Sequence, residues 1–408
     1  MNARANPRVG PLAARPGETP RLDIDEMLRD RGTQVIVCCG SGGVGKTTTS
    51  AALALRAAEM GRHVVVLTID PARRLAQSMG IERLDNTPRP VPGVSLRDGR
   101  SAPSSGQATS STTGAGAGSL DAMMLDMKRT FDDVVLAQAS PEKAQAILTN
   151  PFYVTLSSSF AGTQEYMAME KLGQLDAEAR RTGDHDLIVV DTPPARSALD
   201  FLDAPERLSG FLDGRFIRLL LAPGKGTARL MSAGLGTVTA TMAKIVGAQV
   251  LKDLQMFVAA FDTLFGGFRN RAQQTYEMLQ TRETAFLVVA APEADALREA
   301  AYFVERLDEE SMPLAGLVVN RATRALEGLS VEQAVTASER LTKQDPGNTT
   351  AGLLRLHADR MRRVAREDRL RQRFAAAHPH VPTAVVPALA TDVHDLDGLR
   401  RVGELLAE

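Results

Sequence analysis

The chain has 408 residues, a formal net charge of −1 at pH 7 and a hydrophobic content of 44%. This size and composition suit one large α/β domain or two smaller ones with a sizeable core. The near-neutral charge and an aromatic content of only 4%, with no Trp, argue against a nucleic-acid partner held by phosphate contacts and base stacking.

The sequence carries no signal for export or membrane insertion. Residues 1–20 are rich in Pro, Gly, Ala and Arg and lack the apolar core of a signal peptide, so they predict a disordered tail. No run of about 18 uncharged apolar residues occurs, which predicts no transmembrane segment. The two cysteines, Cys38 and Cys39, form no disulfide framework, which fits a reducing cytosol. We expect a cytoplasmic protein, with attachment to the membrane periphery as an alternative.

The first predicted elements surround a glycine-rich loop. A short helix over Asp23 to Asp30 precedes an apolar strand at Val35–Cys39. The next residues, Gly40 to Thr47, read GSGGVGKT and match the P-loop pattern G-x-x-x-x-G-K-[ST]. A helix-forming run follows from Ser50 to Met60. This order of strand, loop and helix is the context in which the pattern binds a nucleoside triphosphate.

Each residue type in this loop suits ATP. Glycines let the backbone approach the phosphates, and their amides form an anion nest with the N-terminus of the next helix. Lys46 is expected to neutralise the β- and γ-phosphates, and the Thr47 hydroxyl is expected to bind Mg²⁺. The predicted ATP-binding residues of the loop are Gly40, Ser41, Gly42, Gly43, Val44, Gly45, Lys46, Thr47 and Thr48.

Two aspartates follow predicted strands farther along the chain. Asp70 follows the strand at Val64–Ile69, and Asp191 follows the strand at Leu187–Val190. Carboxylates at the C-terminal ends of parallel strands point into the ligand crevice. We expect Asp70 to orient or deprotonate the attacking water and Asp191 to hold Mg²⁺, directly or through water, so both join Lys46 as predicted catalytic residues. The alternative for each aspartate is a helix N-cap.

Further apolar runs complete a predicted α/β fold. They lie at Met123–Leu125, Phe286–Ala290, Leu317–Val319 and Ala384–Val386, and helical patterns separate most of them. Continuously apolar strands that alternate with helices predict a doubly wound, mostly parallel sheet. We expect a single P-loop ATPase domain over residues 21–408 with an inserted helical subdomain.

Three segments are expected to depart from this sheet. Residues 101–119 are low complexity and predict a flexible insertion. Residues 198–283 carry apolar stripes at helical spacing, which predict the core of a helical subdomain or, alternatively, a Met- and Phe-rich groove for an apolar client. Residues 329–375 predict a second helical insertion with a solvated arginine-rich face, for which contact with acidic protein or lipid headgroups is the alternative.

These motifs together resemble the anion-transporting branch of the deviant P-loop ATPases. That branch contains the arsenite-pump ATPase and the guided-entry ATPase for tail-anchored membrane proteins. Leu67 to Ala72 (LTIDPA) resembles the family's switch I, and Val190 to Pro194 (VDTPP) resembles its switch II. The resemblance implies that Asn320, at a strand end, and Pro387 contact adenine. It also implies a dimer in which the ATP state opens or closes a helical subdomain.

Departures from the family pattern bear on the function. Position 41, where the resemblance implies a lysine that reaches the partner's phosphates, is Ser41, and switch II continues as Pro-Pro-Ala-Arg-Ser instead of Ala-Pro-Thr-Gly-His. No CxxC pair is present for the guided-entry zinc, and both cysteines lie on a predicted buried strand, which disfavours zinc and arsenite. We hypothesise that Arg73, Arg74 or Arg196 supplies the missing cation.

Two functional hypotheses result. The first is a slow ATP hydrolase that works as a Mg²⁺- and ATP-dependent dimeric switch on a protein or an envelope- or lipid-linked client, with residues 198–283 as the client region. The second is a largely structural nucleotide-binding subunit of a heterodimer with weak hydrolysis of its own. Residues 157–172 and 191–205 resemble an actinobacterial subgroup of paired subunits, but a homodimer and a heterodimer with a paralogous ATPase both stay open.

Overall fold

The structure of the protein, a computed structural model, describes residues 20–70, 74–94, 118–151, 153–154, 163–193, 267 and 270–408. The helices in these ranges are α1 (Ile24–Arg29), α2 (Lys46–Glu59), α3 (Arg74–Ser78), α4 (Met127–Gln138), α5 (Pro141–Leu148), α6 (Thr163–Thr182), α7 (Ala294–Glu309), α8 (Val331–Gln344), α9 (Thr349–Ala377) and α10 (Leu396–Ala407). Residues 270–279 are also helical. The strands are β1 (Val35–Cys39), β2 (His63–Thr68), β3 (Arg89–Pro90), β4 (Ser119–Met124), β5 (Leu187–Asp191), β6 (Thr284–Ala290), β7 (Leu314–Ala322) and β8 (Thr383–Pro387).

The strands form one sheet in the order β3-β4-β2-β5-β1-β6-β7-β8. All neighbouring strands are parallel except β3, which runs antiparallel to β4. The chain builds one side of the sheet from β1 to β5 and then the other side from β6 to β8, so the predicted doubly wound fold is confirmed. The short strand β3 was not predicted, because its two residues are exposed and carry no apolar pattern.

The apolar runs form strands because the sheet is buried on both faces. Every residue of β1 and β6 is buried, and so is every residue of β2 after the first. The adjacent side chains of Cys38 and Cys39 are therefore both buried, and both thiols are free. Burial of strand residues on alternating sides removes apolar surface from water on both faces and stabilises the layered fold.

The chain divides into two compact units. The first consists of Met1–Met124, Thr182–Ala198 and Leu279–Glu408, and the second of Leu125–Arg181 and Leu199–Met278. Within the second unit, the Phe131 and Tyr153 rings meet edge to face, and buried Glu170 on α6 forms an ion pair of 2.9 Å with Arg271. The expected organisation, a single P-loop ATPase domain over residues 21–408 with an inserted helical subdomain, stays a prediction.

Several predicted segments lie outside the described residues. This holds for residues 1–19, 101–117 and 198–266, so the disordered tail, the flexible insertion and most of the helical subdomain stay predictions. Ser119, assigned from sequence to the end of the flexible insertion, is instead the first residue of β4 and pairs with His63. The insertion at 329–375 corresponds to α8 and α9. None of the described helices is long and apolar enough to cross a membrane.

Candidate nucleotide-binding site

The loop between β1 and α2 has a backbone that requires glycine. Gly40, Gly43 and Gly45 have φ angles of 145°, 76° and 94°, which residues with a Cβ rarely adopt. A Cβ at position 40 would lie 2.1 Å from the carbonyl oxygen of Val289 on β6. A Cβ at position 45 would lie 2.3 Å from Nδ2 of Asn320. The loop can therefore pass close to β6 and β7 only because these positions lack side chains.

Lys46 is the first residue of α2 and points back into the loop. Its Nζ donates hydrogen bonds to the carbonyl oxygens of Gly40 at 2.9 Å and Ser41 at 2.8 Å. Only 6% of the residue is exposed, and this burial lowers the pKa of the Lys46 ammonium. A cation held by loop carbonyls at a helix N-terminus forms a binding site for an anion such as a triphosphate.

Asp191, the last residue of β5, connects the loop to a neighbouring strand. Its Oδ2 accepts hydrogen bonds from the Thr47 hydroxyl at 2.8 Å and from the Thr68 hydroxyl at 2.9 Å. Its Oδ1 is buried and has no hydrogen-bond partner among the described residues. Burial raises the pKa of this carboxyl to about 6, although both hydroxyls and the Lys46 ammonium oppose the rise.

The Thr47–Asp191 pair has the chemistry of a magnesium site. Mg²⁺ prefers oxygen ligands and retains several waters, so a carboxylate and a hydroxyl beside a phosphate-binding loop suit it. The unpaired Oδ1 of Asp191 is a costly buried acceptor that a cation or its water would satisfy. Thr47 and Asp191 therefore fit the ion that the sequence implies. The described residues contain no group of three or more His, Cys, Asp or Glu that could hold a metal.

Asp70 follows β2 by two residues and is half-buried. The Thr68 hydroxyl, which binds Asp191, also lies 3.4 Å from the Asp70 carbonyl oxygen. Burial dominates the pKa shifts of Asp191 and Lys46, and the negative charge of Asp70 acts to raise the pKa of both groups. The structure thus brings the three predicted catalytic residues together at the C-terminal edge of the parallel strands, as expected for this fold.

Two side chains at the end of β7 donate hydrogen bonds to backbone carbonyl oxygens of the P-loop. Nδ2 of Asn320 donates to the Val44 carbonyl oxygen at 2.9 Å, and Nη1 of Arg321 donates to the Gly43 carbonyl oxygen at 2.9 Å. Pro387 ends β8, and the next residue, Ala388, donates its N–H to the carbonyl oxygen of Ala322 at 2.8 Å. The two residues expected to contact adenine therefore come from adjacent strand ends.

Sequence reasoning missed two residues of this site. Thr68 lies inside the LTIDPA motif, two residues before Asp70, so its position in the switch I motif was an available signal. Arg321 directly follows Asn320, but an exposed arginine after a strand carries no distinctive pattern. Of the three arginines proposed to replace the missing lysine, Arg74 is exposed at the start of α3. The other two lie outside the described residues.

The chain is similar in sequence to several known ATPases. The profile of the anion-transporting ATPase family matches residues 33–93 and 119–327. The chain is 25% identical over 324 residues to the ATPase GET3 of Podospora anserina, covering 79% of this chain and 82% of that protein. It is 26% identical over 350 residues to the ATPase GET3B of Arabidopsis thaliana, covering 78% and 71%. It is 32% identical over 204 residues to an uncharacterised protein of Streptomyces coelicolor, covering 50% and 44%.

The family match includes the P-loop, both strand-end aspartates and Asn320, and it extends over more than half of the chain. These are the residues that the structure gathers around the nucleotide-binding loop. The chain is an ATP hydrolase that belongs to the anion-transporting ATPase family.

Proposed function

We propose that this ATPase is a slow, Mg²⁺-dependent conformational switch that works as a dimer and acts on a protein or lipid-linked client. The observation that carries the proposal is the double hydrogen bond of Asp191 to Thr47 of the P-loop and Thr68 of β2. It connects the residues that would hold the metal to β2, which ends two residues before Asp70. A cytoplasmic location, with the membrane periphery as the alternative, is part of the same proposal.

The residues of this chain divide the work of ATP binding and hydrolysis. The loop amides and the α2 N-terminus bind the phosphates, while the Lys46 ammonium offers a positive charge to them in place of its two carbonyl partners. When bound, Mg²⁺ held by Thr47 and Asp191 supplies charge neutralisation at the phosphate oxygens. Asp70, at the C-terminal edge of the parallel strands, orients the attacking water and accepts its proton.

The same contacts can pass a change in nucleotide state to the protein. The N–H of Ile69 donates to the main-chain oxygen of Asp191 at 3.0 Å, so β2 and β5 are joined by both backbone and side chain at this point. A shift of the Asp191 carboxylate would alter the Thr68 contact and the position of Asp70. Order–disorder or displacement of such a segment is a common device of nucleotide-driven switches.

A protein or lipid-linked client suits the chain better than arsenite. The soft ligand for such an ion is a thiolate, and both cysteines are fully buried on β1. Burial raises the pKa of the Cys38 thiol to about 12 and raises that of Cys39 as well, so both thiols are neutral at pH 7. The proposed client region is residues 198–283, whose apolar stripes support it from sequence alone.

ATP turnover of Asp70→Asn tests the catalytic part of the proposal. This change keeps the side-chain shape and removes the base, so we expect kcat to fall by about 100-fold or more with little change in ATP affinity. Asp295→Asn is the matched control, because Asp295 is an exposed surface residue paired with Arg298. Equal turnover of Asp70→Asn and the wild type would sink the assigned role of Asp70.

A second function, a nucleotide-binding subunit that is mainly structural, is favoured by Ser41. Ser41 is only 9% exposed. It occupies the position at which the family resemblance implies a lysine that acts on a partner subunit. Turnover should be measured for a pair of this chain and a co-expressed paralogue whose own P-loop lysine is disabled. A structural subunit adds no activity to that pair, whereas a catalytic one retains turnover that Lys46→Ala then abolishes.

A further inference from the structure

Arg321 has an unusual backbone conformation next to the nucleotide site. Its φ angle is 62°, in the left-handed region that residues other than glycine seldom adopt. The pairing of β7 with β8 shifts register between Val319 and Ala322, so the strand is distorted at Asn320 and Arg321. Arg321 is exposed, while both its neighbours in β7 are buried. Residues held in sparsely populated backbone conformations are found most often at active sites and ligand-binding segments.

The distortion directs two consecutive side chains at two consecutive carbonyls of the P-loop. Arg321 Nη1 holds the Gly43 oxygen and Asn320 Nδ2 holds the Val44 oxygen, each at 2.9 Å. The N–H of Arg321 also donates to Oδ1 of Asn320 at 2.9 Å, which fixes the orientation of that amide. The two side chains are therefore held in a defined geometry relative to the loop and to each other.

The contact with Gly43 places the guanidinium outside the phosphate cradle. In a trans peptide the carbonyl and the following N–H point in opposite directions. Because the Gly43 carbonyl faces Arg321, the Val44 N–H faces away from it, and the Gly45 N–H likewise faces away from Asn320. These amides are the ones expected to bind phosphate. Arg321 thus lies on the side of the loop where Asn320 is expected to meet the base, and it does not replace a lysine at position 41.

We propose that Arg321 forms one wall of the base pocket and stacks its guanidinium plane on the face of the purine. This inference rests on the proposed ATP binding of the same loop. A guanidinium is planar, weakly hydrated and able to stack on aromatic rings while its edge donates hydrogen bonds. The bond to Gly43 holds the plane in place before the nucleotide arrives, which lowers the entropy cost of binding. The residues after Pro387 approach the same strand end through the Ala388–Ala322 hydrogen bond.

Binding of two ligands separates base stacking from bracing of the loop. The dissociation constants of ATP and of inorganic tripolyphosphate, each with Mg²⁺, are measured by calorimetry on the full chain. Arg321→Ala should weaken ATP binding by about tenfold and change tripolyphosphate binding by less than about twofold. Arg324→Ala is the matched control, because Arg324 is an exposed arginine three residues farther along the same segment.

A conservative variant adds a second readout. Arg321→Lys keeps a donor for the Gly43 carbonyl but loses the planar group, so it should recover less than half of the lost ATP affinity on a logarithmic scale. The preference for ATP over UTP should also fall in Arg321→Ala, because a purine offers the larger stacking surface.

The other outcomes overturn the proposal. Equal losses for ATP and tripolyphosphate, or full recovery by Arg321→Lys, would show that Arg321 only braces the loop. Unchanged binding of both ligands would show that it does neither. If the wild type binds neither ligand, the proposed function fails together with the stacking inference. If the wild type binds both ligands and Arg321→Ala has no selective effect on ATP, only the stacking inference fails. Thermal unfolding of each variant checks that it folds.

Discussion

The Thr47 hydroxyl lies 2.8 Å from Oδ2 of Asp191, and this contact joins the P-loop to the end of β5. The same oxygen accepts from Thr68 of β2, so three elements meet at one atom. The second oxygen of Asp191 has no hydrogen-bond partner within the described ranges. A buried carboxylate with one hydrogen-bonded oxygen and one oxygen that lacks a partner is suited to bind a cation.

Asp191→Asn should weaken the Mg²⁺ dependence of ATP binding. The amide can still accept from Thr47 and Thr68, but it has lost the negative charge that attracts the ion. We expect the Mg²⁺ concentration for half-maximal ATP binding to rise by about 10- to 100-fold, the range seen when a group that orients a metal or its water is changed. The measurement is a Mg²⁺ titration at fixed ATP, with Asp295→Asn as the control. An unchanged Mg²⁺ requirement would contradict the metal-binding role.

Asp191 should also make the stability of the nucleotide-free protein depend on pH. Burial raises the pKa of this carboxyl from 3.8 to about 6, so the folded state binds the proton more tightly than the unfolded chain. The protonated carboxyl contributes fully to stability below about pH 4, and this contribution is lost as the pH rises through about 6. The shift in pKa corresponds to a change of about 3 kcal/mol in the free energy of unfolding. Lys46 and Asp70 also face this carboxyl and act in opposite directions on its pKa.

The test compares the free energy of urea-induced unfolding of the wild type and Asp191→Asn between pH 4 and 7, without Mg²⁺ or nucleotide. The wild type should lose stability relative to the variant as the pH rises, because the asparagine does not titrate. The difference between the two proteins removes the contribution of all other groups that the change does not touch. A wild type that gains stability relative to the variant over this range would refute the assignment.

The sequence predicts the sheet and the loop well because their signals are local. Apolar β-branched runs mark the strands at Val35–Cys39 and Leu187–Val190, and glycine spacing with Lys46 marks the loop. The sequence also predicts Asp191 at a strand end. Its two hydroxyl partners, Thr47 and Thr68, lie on other elements, and their contacts with Asp191 depend on how those elements pair and pack. Arg321 was not predictable, because its role depends on a distorted β7 that brings its side chain to Gly43. The division into two units likewise depends on contacts distant in sequence.

Gly45→Ala should destabilise the protein more than Gly80→Ala, a replacement at another glycine with a positive φ. Gly45 has a φ of 94°, and a Cβ there would lie 2.3 Å from Asn320 Nδ2, so the variant must break the bond from Asn320 to Val44. We expect a loss of about 3 kcal/mol or more in the free energy of unfolding and no measurable ATP binding.

Gly80→Ala is the matched control, since Gly80 has a φ of 67° with no atom within 4 Å of its added Cβ. It should cost only about 1–2 kcal/mol. Equal losses for both variants would mean that strain alone, without the Asn320 contact, explains the glycine at position 45.

Glu367 on α9 should stabilise the segment that follows β7. Its carboxylate accepts from the backbone N–H and the hydroxyl of Thr323, both at 2.7 Å, and the residue is only 9% exposed. Glu367→Ala leaves both Thr323 donors without this acceptor, so we expect a loss of about 2–3 kcal/mol in the free energy of unfolding. Thr323 lies two residues after Arg321, and ATP affinity should fall as well.

The neighbouring Asp368 provides the control for this prediction. Its ion pair with Arg371 joins two partly exposed side chains, so Asp368→Ala should cost less than about 1 kcal/mol and leave ATP affinity unchanged. Urea unfolding and calorimetric ATP titration of both variants give the comparison. If the two changes have equal effects on stability, the two Glu367–Thr323 hydrogen bonds contribute no more than an exposed ion pair. In that case α9 does not stabilise the end of β7 that contacts the P-loop. A selective loss in Glu367→Ala would instead link the arginine-rich helix to the nucleotide site through a single buried carboxylate.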